Sequence, residues 1–273
     1  MQGPFINRQT FGQRVKQLLA PVAVLLATAG KWLLPLLKFG WPIFKMSGFM
    51  LISLFFYSRA FGWPFAAGFI LLLFIHEMGH LIAARMVGLK VGLPVFIPFM
   101  GAVIALKEAP RNAWIESIVG IGGPVLGSLG ALAVACCYFL TGHQIFLVLA
   151  YTGFFLNLFN LIPIVPLDGG RIVSAISPWL WVAGLVILIS YLMLRLTVGG
   201  FLNGTVSFII LLIVLTSFPR VLALFRRRTP EQMRYFECTP AQRGLMAFLY
   251  FSLLASLYLG MGFIKGLMPP GAF

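Results

Sequence analysis

Long apolar runs, broken by short clusters of Arg, Lys, Gly and Pro, set the pattern of this chain. A helix that crosses a bilayer needs about 20 mostly apolar residues. Seven stretches are read as spans on that basis: 42–58, 62–87, 113–141, 145–161, 178–196, 201–219 and 244–264. An eighth, 17–37, is interrupted by Lys31 and Pro35 and reads as a poor span or as an amphipathic helix in the interface. The first 30 residues resemble a signal peptide, with Arg8, Arg14 and Lys16 before an apolar stretch ending Ala27-Thr28-Ala29. They are expected to be retained, because the later spans can direct insertion. Two stretches break the helical pattern. Residues 88–106 are apolar but carry Gly and Pro throughout, which suits an extended segment better than a helix. Residues 220–243 form the longest polar loop, with Arg220, Arg226, Arg227, Arg228, Arg234 and Arg243 beside Glu231 and Glu237. The expected architecture is an all-α multi-pass membrane protein of about seven spanning helices, with a short re-entrant, hairpin-like segment near 91–104.

Composition agrees with that reading. The 273 residues are 60% hydrophobic and 10% charged, where a soluble domain has about 25% charged residues; mean hydropathy is +1.00. A water-soluble globule is excluded, and so is a disordered chain, which needs few apolar residues and many charges. The 20 basic residues against 6 acidic leave a formal charge of +14. No basic face can be drawn on such apolar runs, so a nucleic-acid partner is not expected. The basic residues sort by membrane side instead. If the 62–87 helix ends in the cytoplasm, threading the later spans puts at least 13 of the 20 on that side. Three basic residues ahead of 17–37 keep the amino terminus inside as well, so that segment does not cross. Arg226-Arg227-Arg228 is then a topology signal that also attracts anionic lipid. Cys136, Cys137 and Cys238 follow no disulfide or metal-ligand spacing and read as reduced, small apolar residues.

Scarce polar residues in apolar helices carry the chemistry. The 62–87 stretch contains His76-Glu77-Met78-Gly79-His80. Positions i and i+4 share a helix face, so the two imidazoles can converge on one metal ion, with Glu77 beside them to take a proton from a metal-bound water. A charge at such a depth costs about 2.5–3.5 kcal/mol and calls for a reason. Zinc suits neutral imidazoles and an open coordination position, but a catalytic zinc site takes three protein ligands. Candidates for the third are His143, Glu108, Glu116, Asp168, Glu231 and Glu237. Asp168 stands out. It follows an apolar helix within Asn160-Leu161-Ile162-Pro163-Ile164-Val165-Pro166-Leu167-Asp168-Gly169-Gly170-Arg171, where the prolines prevent a regular helix and Gly169-Gly170 permits a tight turn. The alternatives are an Asp that caps the next helix and a metallopeptidase whose third ligand is Glu116 or Glu108. His143 and Glu116, near helix ends, are assigned no role.

These motifs resemble those of the site-2 protease family of intramembrane zinc metalloproteases. HExxH on a spanning helix and the later Asn-x-x-Pro…Leu-Asp-Gly element stand here in order, and Gly123-Pro124 resembles the family's Gly-Pro segment. The similarity covers about residues 62–175. It implies one Zn2+ per chain held by His76, His80 and Asp168, with Glu77 as the catalytic glutamate. It also implies that Asn160 lies close to the substrate or the developing oxyanion, where an amide donor would stabilise charge; an interhelical hydrogen bond is the plainer reading. Asn157, one turn earlier, is expected to make only such a bond. Ile164-Val165 replaces a proline common in the family, and no stretch is long enough for the PDZ or CBS domains of many relatives. A strand edge at 91–104 could hold a substrate extended near the site. The expected organisation is an N-terminal hydrophobic extension (1–60), a catalytic core (61–175) and C-terminal transmembrane helices with a basic cytoplasmic loop (176–273). The expected activity is hydrolysis of a peptide bond in or next to the transmembrane segment of a membrane-protein substrate. The protein would sit in the cell membrane with its active site toward the cytoplasm. The alternative is a catalytically silent adaptor or transporter that retains the fold.

Overall fold

A computed structural model describes residues 51–97, 101–106, 108–199, 205–226 and 229–269, all within one compact unit, Phe49–Phe273. The signal-like start, the 17–37 segment, most of the 42–58 stretch, Lys107, Arg227 and Arg228 lie outside the described residues. The elements run α1 (Leu51–Phe61), α2 (Trp63–Met86), β1 (Val91–Ile97), β2 (Gly101–Leu106), α3 (Ala113–Thr141), α4 (Gln144–Asn160), α5 (Asp168–Ile176), α6 (Leu180–Gly199), α7 (Thr205–Ala223), α8 (Pro230–Tyr235) and α9 (Pro240–Leu267).

Local sequence explains the ends of these helices. The Asn112 side chain accepts a hydrogen bond from the Ile115 amide at 2.9 Å and starts α3, which ends at Gly142 in the left-handed region, φ 73°. Thr239 and Gln242 form a capping box that starts α9, with Pro240 at the first position. Along the apolar helices, Thr152, Thr216, Ser217 and Ser256 hydrogen-bond to carbonyls one turn back. Those hydroxyls therefore need no water.

Among the described residues, four helices are long and apolar enough to cross a membrane: Trp63–Met86, Ala113–Thr141, Val206–Ala223 and Pro240–Leu267. The chain is an integral, mostly helical membrane protein. Three further apolar helices are shorter, Leu51–Phe61, Gln144–Asn160 and Leu180–Arg195. Apolar counting along a sequence does not register where a helix is cut. Here α4 is confined between His143 and the proline-containing turn after Asn160, so its 17 residues reach about 25 Å, short of a core about 30 Å thick. The outward face of the helices is apolar, including Leu71, Leu129, Phe139, Leu215, Phe248 and Phe263. In a soluble protein such a surface would aggregate; a bilayer covers it.

The segment near 91–104 is a hairpin. Strands β1 and β2 pair antiparallel, with Ile97 opposite Gly101 and Pro94 opposite Ile104, and the register shifts between Val91 and Pro94. Pro94 has no amide proton to donate to the ladder, which fits the irregularity there. The hairpin packs along α2, while α3 lies among α2, α4 and α5, and α9 covers α4 and α5. Helices α2 and α3 approach to backbone contact. A methyl group on Gly79 would lie 2.1 Å from the Gly122 carbonyl oxygen, and one on Gly122 would lie 2.6 Å from the Gly79 oxygen.

Candidate metal centre

His76 and His80 lie one turn apart on the buried face of α2, 2% and 6% exposed. Their Nε2 atoms are 3.1 Å apart, and each is 3.1 Å from Asp168 Oδ2. The opposite ring nitrogens identify the tautomers. His80 Nδ1 is 2.7 Å from the Val119 carbonyl oxygen, and His76 Nδ1 is 2.7 Å from Asn157 Oδ1. Oxygens of those two kinds only accept, so both Nδ1 atoms carry protons. In the neutral imidazoles both Nε2 lone pairs then point at each other and at a carboxylate oxygen. Three acceptors converging on one point repel unless a cation lies among them. Atoms 3.1 Å apart are also spaced as ligands of one ion with bonds of about 2.0–2.1 Å. The donor set of two imidazoles and a carboxylate fits zinc.

Glycines in α3 make room for this arrangement. A methyl group on Gly123 would lie 2.2 Å from His80 Nε2, and one on Gly127 would lie 2.4 Å from Asn157 Oδ1. The Gly123-x-x-x-Gly127 spacing thus accommodates side chains of the site rather than only a close helix backbone. Asn157 makes the expected interhelical bond, but its partner is a candidate ligand. It also donates to Gly153 O at 2.8 Å, which fixes which amide atom faces the histidine.

Asp168 arrives from a tightly held turn. Leu161 and Ile164 are fully buried, and the backbone turns through Leu167 N–H to Ile164 O at 2.9 Å and Gly170 N–H to Leu167 O at 3.1 Å. The Val165–Pro166 peptide is cis. Tyr250 of α9 donates to Leu161 O at 2.6 Å, and Trp181 of α6 donates to Gly170 O at 2.8 Å. Asp168 is the first residue of α5 and Leu167 is its cap, with no side-chain capping bond. The carboxylate faces the histidines instead. Gly169 and Gly170 are helical rather than turn glycines. Their role is space, since methyl groups there would lie 2.2 Å from Leu161 O and from Val165 N.

The other sequence candidates for the third ligand lie elsewhere. Glu108 pairs with Lys90 at 3.0 Å beside the hairpin. His143 precedes α4 in an exposed position, and Glu231 and Glu237 are exposed. Glu116 accepts a hydrogen bond from Tyr235 at 2.5 Å and lies 3.8 Å from Arg171 Nε. Arg171 Nη1 in turn lies 3.8 Å from Asp168 Oδ1. Burial and the Glu116 carboxylate push the Tyr235 phenol up from its ordinary value of 10, so it remains a donor. The sequence offered Glu116 only as an alternative ligand and gave Arg171 and Tyr235 no role at the site. Arg171 could have been found, since i and i+3 neighbour each other on a helix, but Tyr235 sits 119 residues from Glu116 and left no signal.

Glu77 is 8% exposed and has no hydrogen bond or ion pair with a described residue, although it lies within the field of both histidines, Asp168 and Arg171. A buried carboxylate that structure does not use is available for chemistry. Asn160 ends α4 half-buried, and its side chain has no hydrogen bond to a described residue.

The chain is similar in sequence to known proteins. Residues 64–145 and 141–185 match peptidase family M50. A zinc metalloprotease of Methanocaldococcus jannaschii is 32% identical over 107 residues, 37% of this chain and 31% of that protein. Rip3 of Mycobacterium tuberculosis is 33% identical over 117 residues, 40% and 29% of the two chains. A Synechocystis protein is 34% identical over 127 residues, 42% and 33%. Both of these are also described by name as zinc metalloproteases. The matched part spans about a third of the length of these curated relatives. The family reached from the motifs and the family matched by the core of the chain are the same, peptidase family M50, the site-2 proteases.

Proposed function

We propose that this chain is an intramembrane zinc metalloprotease that hydrolyses a peptide bond in or next to the transmembrane segment of a membrane-protein substrate. The observation that carries the reading is the convergence of His76 Nε2, His80 Nε2 and Asp168 Oδ2 within 3.1 Å of one another, beside a buried Glu77 that has no hydrogen bond or ion pair among the described residues. His76, His80 and Asp168 would hold the ion. When bound, zinc would polarise the scissile carbonyl and would lower the pKa of a water there to about 7. Glu77 accepts the proton of the attacking water and passes it to the leaving amine. Asn160, at the end of α4 with no other partner among the described residues, supplies an amide donor toward the developing oxyanion. The β1–β2 hairpin packed on α2 offers an edge on which an unwound substrate segment can be held extended.

The partners are therefore a transmembrane protein substrate and the lipid bilayer. The basic residues favour a cell-membrane protein with its site toward the cytoplasm, and the apolar runs and motifs favour about seven spans, a hydrophobic extension over 1–60, a catalytic core over 61–175 and C-terminal helices over 176–273. The test is co-expression with single-span membrane proteins, comparing wild type with Glu77→Gln. Wild type should release a fragment cut within the span, and Glu77→Gln should release none while still binding one zinc. Indistinguishable products from a substrate that is cut would defeat the reading and leave that of a silent adaptor or transporter.

A further inference from the structure

The two oxygens of Asp168 face different neighbours. Oδ2 is 3.1 Å from both histidine Nε2 atoms, whereas Oδ1 faces Arg171 Nη1 at 3.8 Å. Arg171 is only one-fifth exposed and is shared with Glu116, 3.8 Å from Nε. Glu116 in turn accepts the Tyr235 hydroxyl at 2.5 Å. This chain of contacts joins α5, the first turn of α3 and α8.

Tyr235 is not held by chance proximity. The segment after α8 is bound to the core at several points. Arg243 donates to Ile176 O at 2.6 Å, to Phe236 O at 3.1 Å and to Cys238 O at 3.2 Å, and the Phe236 ring meets Trp181 edge-on with centroids 6.0 Å apart. The polar loop between α7 and α9 thus presents one hydroxyl to one half-buried network.

We infer that Tyr235, Glu116 and Arg171 are positioning residues that fix Asp168 with Oδ2 turned toward the metal, so that the α8 loop helps set the affinity of the site. The inference rests on the metal reading above. At 3.8 Å the Arg171 contacts are electrostatic rather than hydrogen bonds, and the guanidinium has two opposing effects. Its charge disfavours a nearby cation. Its hold on Oδ1 prevents the carboxylate from rotating away from the histidines. Glu116 offsets the charge and Tyr235 restrains Glu116, which leaves the positioning effect dominant. Outer partners of metal ligands are commonly worth about 10–100-fold in affinity.

The experiment measures zinc affinity of the full chain in detergent by chelator competition, independently of any cleavage assay. Arg171→Gln should bind zinc about tenfold or more weakly, although it removes a positive charge. Tyr235→Phe, which keeps the ring, should weaken binding by a few-fold. Adding Tyr235→Phe to Arg171→Gln should change nothing further, because the tyrosine acts through the arginine. Arg171→Lys should recover part of the loss. Affinity equal to or above wild type in Arg171→Gln would overturn the inference, as would full additivity of the two losses. A purely structural role would lower the melting temperature of the zinc-free protein and leave affinity unchanged, which would also overturn it. His80→Ala separates the two levels. If wild type binds zinc and His80→Ala does not, the metal reading stands whatever Arg171 does. If wild type binds none, both fall.

Discussion

The tautomers of two histidines are the smallest features on which the site depends. Asn157 and the Val119 carbonyl hold the protons on Nδ1, which leaves both Nε2 lone pairs free for one ion. Replacing Asn157 with Leu should therefore lower zinc affinity by about tenfold while the helices remain intact; chelator competition together with circular dichroism checks both parts. Gly123 is as demanding in a different way. Its absent side chain is the space that the His80 ring occupies, 2.2 Å from where a methyl group would lie. In Gly123→Ala the ring must move off its Val119 bond, and purified protein should contain well under one zinc per chain by elemental analysis.

At the scale of elements, the turn between α4 and α5 and the segment between α8 and α9 do most to place the site. Arg243 binds three carbonyls on two segments at once. Charged hydrogen bonds of this kind contribute about 1.5–3 kcal/mol each, and losing them together is less than additive. Arg243→Ala should thus destabilise the protein by about 2–4 kcal/mol, measured as loss of stability in denaturant. The Tyr235–Glu116 bond has its own pH signature. Because the phenol is pushed above its ordinary value of 10, the folded chain holds that proton more tightly than the unfolded chain. Its contribution is complete below pH 10 and fades as pH rises through the raised value. Melting temperature should fall above that point, and fall less steeply in Tyr235→Phe. For the hairpin, substituting Pro94 and Gly101 should reduce cleavage of a transmembrane substrate without changing zinc content. Unaltered cleavage would remove the strand edge from the mechanism.

For the whole molecule, the Glu116–Arg171–Tyr235 contacts put the first turns of α3 and α5 and the end of α8 together. A threading in which α2 and α4 end, and α3 and α9 begin, on one side of the membrane agrees with that grouping and with the one-sided basic residues. A cysteine at Glu231, an exposed position, introduced after replacing the three native cysteines, should react with an impermeant thiol reagent only from the cytoplasmic side. Labelling from outside intact cells would reverse the orientation.

Local chemistry determined much of this protein from sequence by itself. Apolar runs imply spans because a bilayer requires them. His76 and His80 converge because a helix repeats every 3.6 residues. Prolines at 163 and 166 interrupt the helix wherever the chain goes. Gly and Pro marked 91–104 as non-helical for the same local reason. Span length was less legible, since α4 is cut by its flanking turns rather than by its hydrophobicity. What only the tertiary structure decided are relations between residues far apart in the chain. Asp168, rather than Glu108 or Glu116, meets the two histidines 88 and 92 residues away. Asn157 supports a candidate ligand rather than an ordinary helix contact. Gly169 and Gly170, which looked like turn residues, are spaces for backbone of the preceding turn, and Gly123 and Gly127 are spaces for side chains of other helices. Helical periodicity acts over a few residues and is written in sequence. The partner of a carboxylate or a missing methyl group depends on which helices are packed together, and only the folded chain specifies that.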